Sequence, residues 1–333
     1  MKTSSYKLMK NNHEPFTKYQ LEFRQYRRKF KRSLVTHHGD WDVREGIILR
    51  LKDQVGRVSW GEIAPISWFG SETLEQAWDF CQKLPQKITT DTIFSIPSTL
   101  PACQFGFESA WEMGNRKEEK SQFSFSYSHL LPTGDSAIDA WQTPWNQGIR
   151  TFKWKIGTAH INEEIRIFHQ LIQALPATAQ LRLDANGGLS EQQAHQWLEI
   201  ADNVGTVEFL EQPLPPQQFQ EMLEMSYQYS TPIALDESVA NLKQLEDCYL
   251  RGWRSIFVIK AAIFGSCKQL RQFCQAHEID TVFSSVFESS IARDAAFHLV
   301  KELACSHRAL GFGVNHWFSE DETTWLEQLC QKY

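Results

Sequence analysis

Between residues 18 and 65 polar and apolar positions alternate, as in "YQLEFRQYRRKF" and "REGIILRLKDQVGRVSWGEIAP". Successive side chains of a strand point to opposite faces, so this pattern predicts a half-buried meander with "KDQVGR" as a hairpin turn. The period then changes. "ETLEQAWDFCQKL" (72–84) and "PACQFGFESAWEMGN" (101–115) carry apolar residues at helical spacing. The first third of the chain is therefore expected to be α+β, a meander followed by helices.

A polar stretch, "GNRKEEKSQ" at 114–122, marks the expected domain boundary. Beyond it, short apolar runs end in polar residues, and each precedes a helix-like segment. The runs are "FKWKI" (152–156), "LRLDA" (181–185), "VEFLE" (207–211), "PIALD" (232–236), "IFVIK" (256–260) and "TVFSS" (281–285). Lys155, Asp184, Glu211, Asp236, Lys260 and Ser285 near their ends follow one another at steps of 29, 27, 25, 24 and 25 residues. One strand, one helix and two short loops need about that length. So many units in series predict a (β/α) barrel in preference to an open sheet.

Composition narrows the function without naming it. The chain has 333 residues, 42% hydrophobic and 22% charged, with a net charge of −6. That balance argues against nucleic acid as a partner. The one basic stretch, "RQYRRKFKRS" at 24–33, reads as a solvated strand face or as a loop near a ligand. No window approaches the roughly 20 apolar residues of a membrane span, and the N-terminus lacks the apolar core of a signal peptide. Seven cysteines are scattered without a CxxC or zinc spacing, and Cys103, Cys267 and Cys274 read as small core residues. A reducing, cytoplasmic setting is expected.

The candidate chemistry sits on the strand ends. In a barrel these gather at one mouth, so Asp184, Glu211 and Asp236 converge from three successive strands. Three carboxylates packed together repel and raise one another's pKa, and a hard divalent cation such as Mg²⁺ relieves this. Each acid alone is also a serviceable helix N-cap; it is the set of three that signals a metal. In "TFKWKIG" the period of two sends Lys153 and Lys155 to the same face as the acids, and Trp154 outward to the helix layer. Lys260 lies across the mouth from Lys155. Neighbouring positive charge lowers a lysine pKa, so such a lysine can act as a base. Lys153 and Lys155 also read as simple charge partners of the acids. A metal on a substrate carboxylate, with a lysine base beside it, suits proton abstraction from the adjacent carbon through an enediolate.

On "KWK", "LDAN", "FLEQPL", "ALDES" and "IK", together with "VSWGEIAPISWFGSET", "LLPTG" and "SSVFESSIA", the chain resembles the enolase superfamily, muconate-lactonising subgroup. Within it the sequence is most similar to the o-succinylbenzoate synthase family. The resemblance implies a TIM-like (β/α)7β barrel at 121–311 and an α+β capping domain at 1–120, joined by the C-terminal segment 312–333. It also implies a pairing of lysine base and Mg²⁺ that is general to that superfamily, with Mn²⁺ as a substitute ion. Asp184, Glu211 and Asp236 would be the ligands. Lys155 would take the α-proton and return a proton to the departing hydroxide in a syn elimination. Lys260 would stabilise the intermediate from the other face, and Lys153 would support Lys155. The implied reaction is dehydration of 2-succinyl-6-hydroxy-2,4-cyclohexadiene-1-carboxylate to 2-succinylbenzoate, toward menaquinone or phylloquinone.

Ser284, Ser285, Ser289, Asn186 and Arg44 are the candidate substrate contacts, the serines reading equally well as strand-end and N-cap hydroxyls. "THHGDWDVREG" at 36–46 falls where the superfamily has a mobile capping loop, and His37 and His38 within it read as surface residues. Two departures touch substrate fit: glycines follow the "DAN" motif in "DANGGLS", and alanine ends "ESSIA" where glycine is common in the family. The same lysines and acids also serve muconate cycloisomerases, dipeptide epimerases and N-acylamino acid racemases. A non-catalytic metal-binding barrel is the remaining alternative, although a purely structural metal gains nothing from flanking lysines.

Overall fold

The computed structural model describes residues 18–36, 39–116, 124–303, 308–313 and 317–330. Four antiparallel strands form the first layer: β1 (Lys18–Thr36), β2 (Gly39–Lys52), β3 (Val58–Ile63) and β4 (Lys87–Thr89), in the order β3-β2-β1-β4. The turn between β2 and β3 closes as the pattern requires, because Asp53 accepts from the backbone N–H of Val55 and Arg57 at 3.0 and 2.8 Å. Helices follow at Leu74–Lys83, opened by a Thr73/Gln76 capping box, and at Pro101–Asn115. The second helix lies unusually close to the sheet. A Cβ on Gly61 would fall 2.1 Å from the Gly106 carbonyl oxygen, so the backbones meet where neither residue has a side chain.

The second layer is a curled parallel sheet of seven strands: β5 (Ser128–Leu130), β6 (Thr151–Lys155), β7 (Gln180–Asp184), β8 (Val207–Glu211), β9 (Ile233–Leu235), β10 (Ile256–Ile259) and β11 (Asp280–Phe283). They run in chain order, β5 to β11, with a helix after almost every strand. Inward positions form a thin apolar layer of Phe209, Ala234, Ile256, Val258 and Val282. Outward positions such as Trp154, Phe257 and Phe283 join the main core under the helices. At the sheet's two edges, Leu310 bridges Tyr127 and Gly311 bridges Ser284, both parallel.

The C-terminal segment returns to the first layer. Phe318 bridges Phe30 antiparallel, and the helix Glu322–Cys330 packs Trp325 with Tyr26 and Ile48. Glu322 accepts from Arg28 and Arg293 at 3.1 and 2.6 Å, tying this helix to both layers.

Several expectations change here. Residues 39–46 are not a loop: they are the first half of β2, paired with β1 through Trp41↔Leu34 and Asp40↔Val35. The alternation that predicts strands extends through them, with Trp41 packed edge-on against Phe30 at 5.2 Å. His37, His38 and most of the 114–122 stretch lie outside the described residues. The basic stretch is a strand face, but Arg28 within it is buried against Glu322. Cys103 and Cys267 are buried, whereas Cys274 is only half buried. Among the described residues no helix is long and apolar enough to cross a membrane.

Candidate active site

Strand register assembles the charged groups. On β6 the alternation turns Trp154 out, to an edge-on contact with Trp197 at 6.3 Å, and Lys153 and Lys155 inward. Lys155 is level with Asp184, and Asp184 with Glu211, which is level with Ala234 on β9. Asp236 follows two residues later on the same face, and Lys260 follows Ile259 at the end of β10. Asp184, Glu211 and Asp236 are 2%, 2% and 4% exposed, so each carboxylate has left bulk water.

The lysines divide the acids between them. Lys153 Nζ lies 2.8 Å from Asp184 Oδ2 and 2.7 Å from Glu211 Oε1. Lys260 pairs with Asp236. Among the described residues Lys155 pairs with no carboxylate in this way; its Nζ donates to Asn186 Oδ1 at 3.0 Å. The structure therefore separates the two lysines of "KWK". Lys153 is a fixed counter-ion, and Lys155 is held by a neutral amide.

Electrostatics show what the acids lack. Burial and the neighbouring Asp184 push Glu211 up to about 7, against the pull of Lys153. Burial raises Asp236 to about 6, with Glu237 adding to it and Lys260 opposing. Asp184 stays below the ordinary carboxylate value: burial would raise it, but Lys153 and Lys155 outweigh that. Lys153, despite burial, is driven well above its ordinary value by Asp184, Glu211 and Asp236. Three buried, oxygen-only donors on adjacent strands, two of them short of positive charge, fit a hard divalent cation. With Lys153 between Asp184 and Glu211, the three acids are not drawn into the tightest cluster. Among the described residues, the ligand atoms of Glu108, Glu112 and Cys267 do lie within 4.8 Å of one another. That cluster is already committed, because Glu112 forms a two-pronged pair with Arg271 and Glu108 accepts from the Lys268 N–H.

The tentative substrate contacts have partners inside the protein. Arg44 is 2% exposed and spends its donors on the carbonyls of Val286, Glu45, Pro65 and Ala64. Ser285 Oγ donates to Glu288 at 2.9 Å. Ser289 donates its N–H and hydroxyl to Glu62 at 2.8 and 2.5 Å, so an acid of β3 caps the helix Ser290–Leu303. Ser284 is half buried, with a long 3.4 Å contact to the Gly311 carbonyl.

Three residues escape the sequence reading. Gln212, fully buried at φ +37°, accepts from the N–H of Asp236 and Ser238 and donates to Leu214 O and Ser238 Oγ. It thereby fixes the loop that carries Asp236. Glu237 accepts from Asn186 Nδ2 at 3.1 Å. Phe69 places its ring 4.0 Å from Lys260 Nζ and continues into Trp68 and Trp41 behind it. Each lies in a quoted motif, but the partner that gives it a role is on another strand or in the other layer.

Comparison with known proteins agrees with this architecture. The family described as Enolase C-terminal domain-like matches residues 137–331, and that described as MenC, N-terminal domain, matches 19–113. The o-succinylbenzoate synthase of Thermosynechococcus vestitus is 41% identical over 92% of this chain and 95% of its own length. The crystal structure of o-succinylbenzoate synthase from Thermosynechococcus elongatus BP-1, complexed with Mg in the active site, superposes with a TM-score of 0.87. It is 40% identical and covers 94% of this chain and 100% of that one. A dipeptide epimerase from Enterococcus faecalis shares the fold alone, with a TM-score of 0.77, 19% identity and 92% coverage of both chains.

Proposed function

The chain belongs to the o-succinylbenzoate synthase family of the enolase superfamily, and from that premise we propose that the mouth of its parallel sheet performs a syn dehydration with Lys155 as the base. The chain is a hydro-lyase that uses Mg²⁺ to convert 2-succinyl-6-hydroxy-2,4-cyclohexadiene-1-carboxylate to 2-succinylbenzoate. Asp184, Glu211 and Asp236 are the residues that would hold the ion. When bound, Mg²⁺ supplies positive charge to the substrate carboxylate and so acidifies the adjacent carbon.

The other parts are the protein's own. Lys155 removes the proton from that carbon and, on the same face, returns it to the departing hydroxide, so one amine serves both halves of the elimination. Lys260, on the opposite face and paired with Asp236, offers its ammonium to the developing charge. Lys153 balances Asp184 and Glu211. Loss of water aromatises the ring, so the site need only acidify one carbon and protonate one leaving group. The observation that carries this reading is the contrast within "KWK": Lys153 is locked between two carboxylates, while Lys155 is not.

Supporting this site we assign a closed (β/α)7β barrel at 121–311, with Leu310 and Gly311 as the last strand between β11 and β5. The parallel bridges at both edges support that closure. Residues 1–120 with 312–333 form the capping unit, supported by the Phe318–Phe30 bridge and the Glu322–Arg28 pair. A cytoplasmic place on a route to menaquinone or phylloquinone goes with this chemistry. The buried Cys81, Cys103, Cys248 and Cys267 form no disulfide, as a reducing compartment would leave them.

The test is direct. With Mg²⁺ the purified chain converts the cyclohexadiene to an aromatic product, followed by ultraviolet absorbance, and excess EDTA stops the conversion until Mg²⁺ is restored. No turnover with Mg²⁺ present would sink the reading.

A further inference from the structure

We propose that Asn186 and Glu237 are positioning residues for Lys155: Glu237 fixes which end of the Asn186 amide faces the lysine, and the amide oxygen then aims Nζ. The inference deepens the dehydration reading and rests on Lys155 being its base.

The amide has two unlike ends, and its neighbours allow one arrangement. A carboxylate only accepts, whereas Lys155 as a neutral base has two N–H donors besides its lone pair, so Glu237 decides the orientation. Asn186 Nδ2 must therefore face Glu237, at 3.1 Å, and Oδ1 must face Lys155, at 3.0 Å. Glu237 itself is held still. It opens the short turn Glu237–Val239, whose neighbours Asp236 and Ser238 both donate their N–H to Gln212 Oε1, at 2.9 and 3.1 Å. Among the described residues its second oxygen is buried without a donor, so the Asn186 amide is its side-chain contact.

The backbone selects the same residue. Asn186 has φ +45°, in the left-handed region, and its N–H donates to Asp184 Oδ1 at 3.1 Å. Glycine, asparagine and aspartate tolerate that conformation best. Glycine has no amide, and aspartate has no donor for Glu237 and would place a second acid against it. Asparagine alone satisfies both demands.

A base must present its lone pair along the line to the proton it takes. Tying one N–H of Lys155 to Asn186 Oδ1 removes the free rotation of Nζ and limits the lone pair to two staggered directions. Losing such alignment costs turnover more than binding.

The experiment uses the full chain with Mg²⁺ and four proteins: wild type, Asn186→Gly, Glu237→Ala and Glu237→Gln. Asn186→Gly keeps the backbone conformation and loses the amide. It is expected to lower kcat about 10- to 100-fold with KM within about threefold, and to raise the isotope effect with substrate deuterated at the carbon that loses the proton. Glu237→Ala is expected to do the same. Glu237→Gln, whose amide can offer Asn186 either an acceptor or a donor, is expected to lower kcat by less than Glu237→Ala does. A purely structural role would move the melting midpoint and the Mg²⁺ isotherm and leave the isotope effect unchanged. That result overturns the inference, as does wild-type kcat in both Asn186→Gly and Glu237→Ala. Wild-type turnover combined with either result removes this inference alone. Absence of wild-type turnover removes the dehydration reading and this inference with it.

Discussion

The two ends of the parallel sheet are both charged, and they handle charge in opposite ways. Near the N-terminal ends of the strands, Arg182 donates to Glu208 at 2.7 Å, and Arg308 reaches Glu208 at 2.7 Å and Asp280 at 2.6 Å. Two guanidinium groups face two carboxylates, and every charge has a partner. At the C-terminal ends, Asp184, Glu211, Asp236 and Glu237 face Lys153, Lys155 and Lys260, and Glu211 and Asp236 are pushed up to about 7 and 6. The apolar layer of Phe209, Ala234, Ile256, Val258 and Val282 lies between. A balanced network seals a sheet; an unbalanced one holds something in reserve for a ligand.

The largest effect should come from the mouth and should be chiefly catalytic. Lys155→Ala is expected to lower kcat by about 10³- to 10⁴-fold, toward the assay floor, because the proposed general base is lost. The urea midpoint should fall only modestly, since Lys155 donates to Asn186 and shares the task of holding Asp184 ionised with Lys153. A marked loss of stability with activity retained would break the comparison.

Next comes the opposite end, with the opposite signature. Arg182 is 2% exposed, and Arg182→Met leaves Glu208 buried with only Arg308 beside it. A loss of about 3 kcal/mol in urea unfolding is expected, with kcat per folded molecule unchanged. Loss of kcat without loss of stability would show that this end is not merely structural.

How much of this contrast the sequence makes legible depends on where each partner lies. Asp184, Glu211, Asp236 and Lys260 are readable because one βα unit repeats every 24 to 29 residues and puts a polar residue at the same place in each. The helices at 74–83 and 101–115 are readable from the helical spacing of their apolar residues. β5 is three residues long and too short to show a period. Ser289 reads as a substrate contact or an N-cap hydroxyl until Glu62, 227 positions earlier, arrives from the other layer. Glu208 is similar: the register slips beside it, between the Leu181↔Val207 and Arg182↔Phe209 pairs, and no alternation rule anticipates a bulge. Residues whose role is set by their own strand are legible, and residues whose role is set by tertiary pairing are not.

A smaller and more graded effect should separate the ends by pH. In the ion-free protein, Glu211 and Asp236 are raised, so their ionised forms are disfavoured in the fold. Stability from these groups should fall as pH rises from about 4.5 through about 7, the unfolded carboxylates ionising first. Asp184 is lowered and acts only below its ordinary 3.8, outside that window. Mg²⁺ takes the ionised forms, so its affinity should fall by up to about tenfold per pH unit, per proton, on going below pH 7. Calorimetry in buffers of differing ionisation enthalpy should find protons released on binding at pH 6. No proton release there would mean the mouth is as balanced as the other end.

The smallest effect sharpens the comparison most, because it asks whether the two ends communicate. Asp280 accepts from Arg308 Nε and Nη2 at 2.9 and 2.6 Å, a forked pair, but its side chain is 34% exposed. Solvent screens such a pair, and Asp280→Asn keeps one acceptor oxygen for the guanidinium. A loss of about 0.5–1 kcal/mol is expected, shrinking further at high salt. Arg308 keeps Glu208 at 2.7 Å, so the seal itself should hold. If the apolar layer insulates the ends, kcat, KM and the Mg²⁺ isotherm of Asp280→Asn should match wild type. A shift in any of the three, at so small a cost in stability, would mean that the sheet carries strain from one charged end to the other, and that neither can be understood alone.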